Sequence, residues 1–306
     1  SDKLWVTDYF MVVENQKDRE FLERAAEKPR IKGKYVCRPD SRGSKFYYFL
    51  TEEKILYSPD LEYRVDSRST TGRLGCMSFQ ASNGDLFDGR ILIALQPRVF
   101  PIEIEPGITS TTQVVFRYKD SHSLMPEEIR ELWGKEVSFY KNGELVDLEE
   151  SLKEGRLVPT YSTEFFYKAK KNILEPINPN LKAHYESDDF WEEITGGEYL
   201  VVEDSAFYLV GMREKMVLGN SVCAELTRET KYSGTGFLSH FAGFIREGYQ
   251  GQLTLECSSD VRRVVRTGHP VGFLNLEGVE KGTGESSKIS SYQDQKSPQL
   301  ANVFIT

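Results

Sequence analysis

The chain has 306 residues, of which 39% are hydrophobic and 28% charged, as in a soluble globular protein with room for two compact domains. Its net charge of -8 argues against a nucleic-acid polymer as a partner, and no apolar run approaches the roughly 18 residues that a membrane span needs. Four dispersed cysteines without a CxxC pair are typical of small buried side chains in a reducing compartment, so we expect a cytoplasmic protein: they are Cys37, Cys76, Cys223 and Cys257.

Short alternating runs, separated by glycine, proline and the Asn142-Gly143 turn, predict a mainly β protein of sandwich or barrel type. In chain order, the predicted strands are Lys45 to Leu50, Arg90 to Leu95, Val114 to Tyr118, Tyr199 to Val202, Ala206 to Val210 and Gly251 to Glu256. The predicted helices are Asp18 to Ala26, Pro126 to near Gly134, and Asp188 to Ile194. The segment from Asn172 to Pro179, with two prolines, is predicted to be irregular.

A faint internal repeat indicates the domain organisation. The run Gly89 to Ala94 resembles the run Gly251 to Glu256, and in each case a turn and a second strand follow. Self-similarity of this kind predicts two related structural units. We therefore predict two β domains, residues 1–118 and 161–306, with residues 119–160 as a connecting segment.

The stretch from Ser67 to Gly75 is rich in small hydroxyl side chains and contains two arginines, Arg68 and Arg73. Hydroxyls, backbone N–H groups and guanidinium forks are the donors that bind phosphate oxygens. On composition alone, a solvated polar loop between strands is the simpler interpretation. The stretch becomes a phosphate-binding candidate only with support from elsewhere in the chain.

A second stretch, from Gly248 to Glu256, combines a glycine turn with an apolar strand that ends in a carboxylate. Alternation predicts Leu253 and Leu255 on one face, and Gln252, Thr254 and Glu256 on the other. Partial burial beside Cys257 would raise the pKa of Glu256 towards the range of a general base. The alternative is a glutamate that faces solvent from a strand.

Four motifs, taken in order, resemble the two-domain bacterial form of dCTP deaminase, in the trimeric dUTPase superfamily. Ser67 to Gly75 is similar to the Gly-Arg-Ser-Ser-x-x-Arg-Leu-Gly motif that binds triphosphate in this family. Ile245 to Glu256 is similar to the later motif that ends in Leu-Glu, with Arg246 and Glu247 in place of Asp-Pro. The stretch from Phe100 to Phe116 resembles the family segment whose glutamine approaches the nucleotide. The stretch from Tyr292 to Gln295 resembles the C-terminal segment that closes over the phosphates. The resemblance implies two tandem dUTPase-like domains of distorted β-barrel or jelly-roll type.

What this resemblance implies is deamination of dCTP to dUTP and ammonia. Glu256 would act as the general base, Ser69 would orient water or the tetrahedral centre, and Arg73 would stabilise the site electrostatically. The residues implied to bind substrate are Arg68, Thr70, Gln113, Tyr249, Tyr292 and Gln295. The implied partners are dCTP and dUTP, with dTTP as a candidate inhibitor, in a homo-oligomer.

The implied chemistry at the ring is independent of zinc. Zinc deaminases use His-x-Glu and Pro-Cys-x-x-Cys motifs, and the sequence contains neither. Mg²⁺ is expected only through the triphosphate of the nucleotide, because triphosphates arrive as magnesium complexes. No direct protein ligand to a metal is predicted.

Two departures from the family pattern suggest a composite site. The first half has Ala94 where a second glutamate is expected, and the second half has Glu229 where a phosphate-facing serine is expected. The first domain would then supply the phosphate-binding residues, and the second domain would supply Glu256. Arg246 replaces an acidic residue that contacts the sugar in relatives.

Two other functions remain open at this point. One is dUTP pyrophosphatase, although Arg246 stands where that chemistry needs an acidic residue. The other is a catalytically inactive nucleotide-binding regulator, because both halves have lost motif residues. Product analysis separates all three.

Overall fold

The computed structural model of the chain describes residues 4–7, 17–18, 20, 33–40, 45–54, 60–81, 89–105, 109–228, 237–239, 241–279 and 292–305. This part of the chain contains 26 strands and four helices of described bounds, so the predicted mainly β class is confirmed. Lys17, Asp18 and Glu20 are helical, whereas the rest of the first predicted helix lies outside the described residues.

The chain divides into two compact units. Unit 1 comprises residues 1–120, 171–187 and 301–306, and unit 2 comprises residues 121–170 and 188–300. Residues 121–160, which the sequence analysis assigned to a connecting segment, lie in unit 2 and carry helices and strands of their own.

The elements of secondary structure follow one another from the amino terminus. The first 120 residues contain β1 (Leu4–Thr7), β2 (Tyr35–Cys37), β3 (Phe46–Lys54), β4 (Leu61–Ser67), α1 (Ser69–Arg73), β5 (Cys76–Gln80), β6 (Arg90–Pro97), β7 (Ile102–Ile104) and β8 (Thr112–Tyr118). Next come α2 (Pro126–Leu132), β9 (Val137–Lys141), β10 (Glu144–Leu145), α3 (Leu148–Ser151), β11 (Leu152–Lys153), β12 (Arg156–Leu157) and β13 (Tyr161–Ala169). Then follow β14 (Tyr185–Glu186), α4 (Ser187–Phe190), β15 (Trp191–Thr195), β16 (Tyr199–Val202), β17 (Phe207–Met212), β18 (Lys215–Leu218) and β19 (Val222–Arg228). The last elements are β20 (Phe237–Ser239), β21 (Phe244–Ile245), β22 (Gln250–Gly251), β23 (Thr254–Ser259), β24 (Arg263–Arg266), β25 (Gly272–Gly278) and β26 (Phe304–Ile305).

Five antiparallel strand pairings recur in the same chain order in both units. In unit 1 they are β1–β3, β3–β6, β5–β6, β2–β7 and β4–β8. In unit 2 the corresponding pairings are β13–β17, β17–β23, β20–β23, β16–β24 and β19–β25. The faint sequence repeat therefore reflects a shared strand topology, with β6 and β23 as the equivalent central strands.

The central strands of unit 2 are buried on both faces. Every residue of β17 and of β23 is buried, so these strands lack the polar outer face of a half-exposed antiparallel sheet. Thr254 and Glu256 are buried as well as Leu255, so both predicted faces of this strand are covered. The predicted single strand is also two, β22 and β23, separated by residues 252–253.

The predicted helix from Asp188 to Ile194 was wrong in its second half. The acidic residues of α4 suit the first turn of a helix, but α4 ends at Phe190. Trp191 begins β15, which pairs with β13 from Trp191↔Ala169 to Thr195↔Phe165. Cross-strand packing of large side chains stabilises this antiparallel strand pair, and it overrides the local helical pattern.

Other expectations are confirmed. Asn142 and Gly143 both have positive φ, of 54° and 86°, as a two-residue hairpin turn between β9 and β10 requires. All four cysteines are buried and free. Among the residues that the structure describes, no helix is both long enough and apolar enough to cross a membrane.

Candidate active site

The polar stretch Ser67–Gly75 forms a corner between a strand and a helix in unit 1. β4 ends at Ser67, whose hydroxyl accepts a hydrogen bond of 2.8 Å from the Ser78 N–H and so ties the corner to β5. Thr71 and Arg73 are only 0% and 4% exposed. The interpretation of the whole stretch as a solvated loop was therefore wrong, since its second half is part of the interior.

The first half of the corner remains accessible. Arg68 is exposed, and Ser69 and Thr70 are half-buried at the start of α1. The Thr70 hydroxyl donates to Asn302 Oδ1 at 3.2 Å, which fixes its rotamer. A guanidinium and two hydroxyls at one surface are groups that can bind phosphate oxygens.

Gln113 lies beside the same corner. It pairs with Asp66 in the β4–β8 ladder, and its Nε2 donates to the carbonyl oxygen of Ser67 at 3.2 Å. The N–H of Arg68 donates to Thr111 O at 3.2 Å, which adds a second link between the two strands. The structure thus brings Gln113 next to the Ser67–Gly75 stretch within unit 1.

Ala94 lies on β6 in the apolar interior of unit 1. It is fully buried and pairs with Tyr48 of β3 and Phe79 of β5. It packs in a cluster with Tyr48, Ala81 and Leu92. The central strand of unit 1 therefore holds a methyl group where the central strand of unit 2 holds Glu256.

The glycine turn before Glu256 is built from positive-φ positions. Gly248 has a φ of 73° and Gly251 a φ of 150°, both in a region that side chains rarely adopt. After Gly251 the chain leaves its pairing with β18 and joins β17 at Thr254, opposite Gly211. The turn therefore delivers Glu256 to the centre of a sheet, opposite Leu209.

Glu256 is a buried carboxylate with a defined hydrogen-bond partner. It is 2% exposed, and its Oε2 accepts a hydrogen bond from the Phe241 N–H at 2.9 Å. The Phe241 ring packs against Phe207 at 5.4 Å between centroids and shields this side. The alternative of a solvent-facing strand glutamate was therefore wrong. Sequence reasoning missed Phe241, because a backbone donor leaves no mark in the side-chain pattern.

Cys257, the next residue, is not a competing nucleophile. Burial, and then the charge of Glu256, raise the pKa of the Cys257 thiol far above its ordinary value. The thiolate is the reactive form of cysteine, so this side chain stays inert at neutral pH.

The C-terminal segment 292–300 packs along the glycine turn in unit 2. The Asp294 N–H donates to Gln250 O at 2.7 Å, and Gln250 Nε2 donates to Asp294 Oδ1 at 2.6 Å. The Gln252 N–H donates to Gln295 O at 2.9 Å, while Gln295 Nε2 donates back to Gln252 O. Two motifs that lie about 40 residues apart in sequence are thus in direct contact through paired hydrogen bonds.

The same segment reaches the strand that carries Glu256. The Thr254 hydroxyl accepts hydrogen bonds from the Gln299 N–H at 3.0 Å and from Gln295 Nε2 at 3.4 Å. Tyr249 and Tyr292 are buried, and the Tyr249 hydroxyl donates to Gln252 O at 2.9 Å. Unit 2 therefore gathers Tyr249, Tyr292 and Gln295 around the turn that leads to Glu256.

Substitution of Gly251 by alanine is expected to loosen the C-terminal segment. A Cβ at this position would lie 3.1 Å from both Gln295 N and Tyr249 Oη, on a backbone with a φ of 150°. We expect a loss of about 1–3 kcal/mol of local stability, seen as faster amide hydrogen exchange in residues 292–300.

Gly197→Ala is the matched control, because a Cβ at Gly197 meets no atom within 4 Å. Equal exchange rates of residues 292–300 in the Gly251→Ala variant and the wild-type chain would contradict the proposed role of this turn.

Arg246 is exposed, and its Nη2 lies 3.7 Å from Glu247 Oε1. A cation therefore occupies the surface position at which relatives are expected to carry an acidic residue. Glu229, and residues 106–108 within the Phe100 to Phe116 motif, lie outside the described residues.

Residues 159–279 match a family model described as dCTP deaminase-like. Among curated relatives, a protein of Corynebacterium efficiens named "dCTP deaminase, dUMP-forming" is 27% identical over 120 residues, which are 37% of this chain and 62% of the relative. A protein of the same name from Mycolicibacterium vanbaalenii is 27% identical over 140 residues, 42% of this chain and 74% of the relative. The chain thus spans about three fifths of the length of the Corynebacterium relative.

A solved structure of similar fold is the 2'-deoxycytidine 5'-triphosphate deaminase from Agrobacterium tumefaciens. The TM-score is 0.76 at 21% identity, and the match covers 91% of this chain and 87% of that one. The similarity in fold therefore extends over both units. The resemblance inferred from the sequence motifs is confirmed by these matches.

Proposed function

We propose that this chain, which carries a dCTP deaminase-like domain at residues 159–279, removes the amino group from the cytosine ring of dCTP. One observation carries the proposal. Glu256, inside that domain, is a buried carboxylate whose orientation is fixed by the Phe241 N–H. A carboxylate held in this way is suited to move protons between water and a bound base.

In the proposed reaction, Glu256 takes a proton from water, and the oxygen bonds to C4 of the cytosine ring. The proton passes to the ring nitrogen, and a tetrahedral centre forms at C4. A further proton from the water oxygen reaches the leaving amine through the same carboxylate, and the C4–N bond breaks. The products are ammonia and a uracil ring, so dCTP and water give dUTP and ammonia.

The site is proposed to be composite. Ser69 and Arg73 of unit 1 would orient the water and stabilise developing charge, while Glu256 of unit 2 exchanges protons. Arg68 and Thr70, accessible at the corner of unit 1, support a role in holding phosphate oxygens. Further substrate contacts are proposed for Gln113, Tyr249, Tyr292 and Gln295. Mg²⁺ would arrive with the triphosphate as part of the substrate complex.

We also propose a homo-oligomer, in which one chain supplies the unit 1 residues of a composite site and another chain supplies the unit 2 residues. The ligands proposed are dCTP, dUTP and, as an inhibitor, dTTP.

Further conversion to dUMP is the second candidate outcome. The names of the curated relatives, "dCTP deaminase, dUMP-forming", favour it. Arg246 argues against it, because an exposed cation stands where an acidic residue would activate water at the α-phosphate. We therefore propose dUTP as the product that leaves the enzyme.

Incubation of the chain with dCTP and Mg²⁺, followed by chromatography and an ammonia assay, tests the proposal. We expect ammonia and dUTP in equal amounts. Ammonia with dUMP and pyrophosphate would establish the second outcome instead. Nucleotide binding without any product would overturn deamination and leave a nucleotide-binding regulator.

A further inference from the structure

A second surface of unit 2 has the properties of a ligand site. The sheet β10–β9–β18–β22 has one face in the core, where Phe139 and Met216 are 0% exposed. Register pairs Tyr140 with Lys215, and Val217 with Gln250, so these four side chains share the other face. Tyr140, Lys215 and Val217 are half-buried, as expected for the floor of a depression and not for an open sheet surface.

Three further segments wall this floor and make a cleft of about 640 Å³. The tip of the β9–β10 hairpin, at Asn142-Gly143, forms one side of the cleft. Arg213 and Gln252 form a second side, and Lys296 of the C-terminal segment forms a third. This volume lies within the range of pockets that bind small organic ligands. We call it the basic cleft.

The charge of the basic cleft is one-sided. Its lining includes Arg213, Lys215 and Lys296, but no carboxylate side chain. None of these three cations forms an ion pair with another residue in the described part of the chain. On a chain of net charge -8, three uncompensated cations around one cavity repel each other and attract anions.

The amide side chains of the basic cleft are engaged within the protein. Gln252 Nε2 donates to Arg213 O at 3.2 Å, and Gln250 Nε2 donates to Asp294 Oδ1 at 2.6 Å. These bonds hold the wall, so the three cations remain as the charged donors for a ligand. The ring of Tyr140 and the side chain of Val217 add an apolar area on the floor between them.

We propose that the basic cleft binds a nucleoside polyphosphate. Arg213, Lys215 and Lys296 contact the phosphate chain, because guanidinium and ammonium groups form charge-assisted hydrogen bonds to phosphate oxygens. The base or sugar packs on Tyr140 and Val217. The cleft lies within unit 2, and Gln295, which is proposed above as a substrate contact, also lines it. Because the cleft contains none of the residues assigned to proton transfer, this proposal stands whether or not dCTP is deaminated.

The test measures binding of inorganic tripolyphosphate, and separately of dCTP, to the full chain by calorimetry at low ionic strength. The double variant Lys215→Gln/Lys296→Gln removes two cations from the cleft. Its matched control, Lys135→Gln/Lys153→Gln, removes two exposed lysines of unit 2 that do not line it. Thermal unfolding of both variants checks that they fold.

We expect tripolyphosphate to bind the double variant about tenfold or more weakly than wild type, and the control to change by no more than about twofold. If the KM for dCTP rises in parallel, the cleft holds the phosphates of the substrate. If the KM stays unchanged, the cleft holds a second nucleotide. Equal tripolyphosphate binding by the double variant and the control would overturn the site, while the Glu256 assignment would be unaffected.

Discussion

The Glu256→Gln variant is expected to lose release of ammonia from dCTP by about 10²–10⁴-fold, the usual contribution of a general acid–base group. Glutamine has the same shape, and its oxygen can still accept the hydrogen bond from the Phe241 N–H that orients the carboxylate at 2.9 Å. Binding of dCTP should therefore remain within about twofold of wild type. The measurement is ammonia release under single-turnover conditions, together with calorimetric binding of dCTP.

Glu198→Gln is the control for this variant, because Glu198 is an exposed glutamate of unit 2 and its substitution removes the same charge. It should deaminate at the wild-type rate. Full activity of the Glu256→Gln variant would show that another group carries the protons.

The same variant also tests whether the site is composite. Arg68→Ala removes an exposed guanidinium of unit 1 with little effect expected on folding. If sites form between chains, a mixture of Glu256→Gln chains and Arg68→Ala chains should recover activity that neither has alone, because one combined site is intact. No recovery after exchange of subunits would place both groups in a single chain.

The second large effect is expected in unit 1. Ala94→Glu places a carboxylate on β6 at the position that corresponds to Glu256 on β23, but Ala94 is fully buried against Tyr48 and Phe79. Burial of an unpaired charge in an already packed interior should destabilise unit 1 by more than about 3 kcal/mol. The measurement is hydrogen exchange of Arg90–Pro97 compared with Thr254–Ser259 in the same chain, with loss of protection expected only in the former.

Ala94→Gln separates the two causes of this loss, because it adds the same volume without the charge. We expect it to be damaging, but less so than Ala94→Glu at neutral pH. A stable Ala94→Glu chain with a second active site would show that unit 1 keeps room for a catalytic carboxylate.

Much of the strand content could be read from local patterns. Tyr199–Val202 has its predicted bounds, and Arg90–Pro97 and Thr112–Tyr118 extend their predictions by only two residues. The prediction of these strands was correct because apolar and β-branched residues favour an extended backbone wherever a sheet covers them. The turn at Asn142-Gly143 was predicted correctly because few other dipeptides adopt two successive positive φ angles.

The features that were predicted wrongly or missed depend on contacts between residues far apart in the chain. Trp191–Thr195 has a helical pattern nearby but pairs with β13, which lies more than 20 residues earlier in the chain. The burial of Glu256 depends on β17 and on Phe241, neither of which the motif itself contains. The basic cleft was missed because Lys296 lies about 80 residues after Arg213 and Lys215, and no local pattern indicates that these three cations line one cavity.

The short parallel ladder between Tyr185–Glu186 and Phe304–Ile305 has a consequence for biosynthesis. Both strands belong to unit 1, although nearly 120 residues separate them in the chain. At the usual elongation rate of ~5–20 residues per second, the ribosome reaches the second strand roughly 6–24 s after the first. Unit 1 therefore lacks its last strand while almost all of unit 2 is being synthesised. During this interval chaperones can bind the incomplete unit 1.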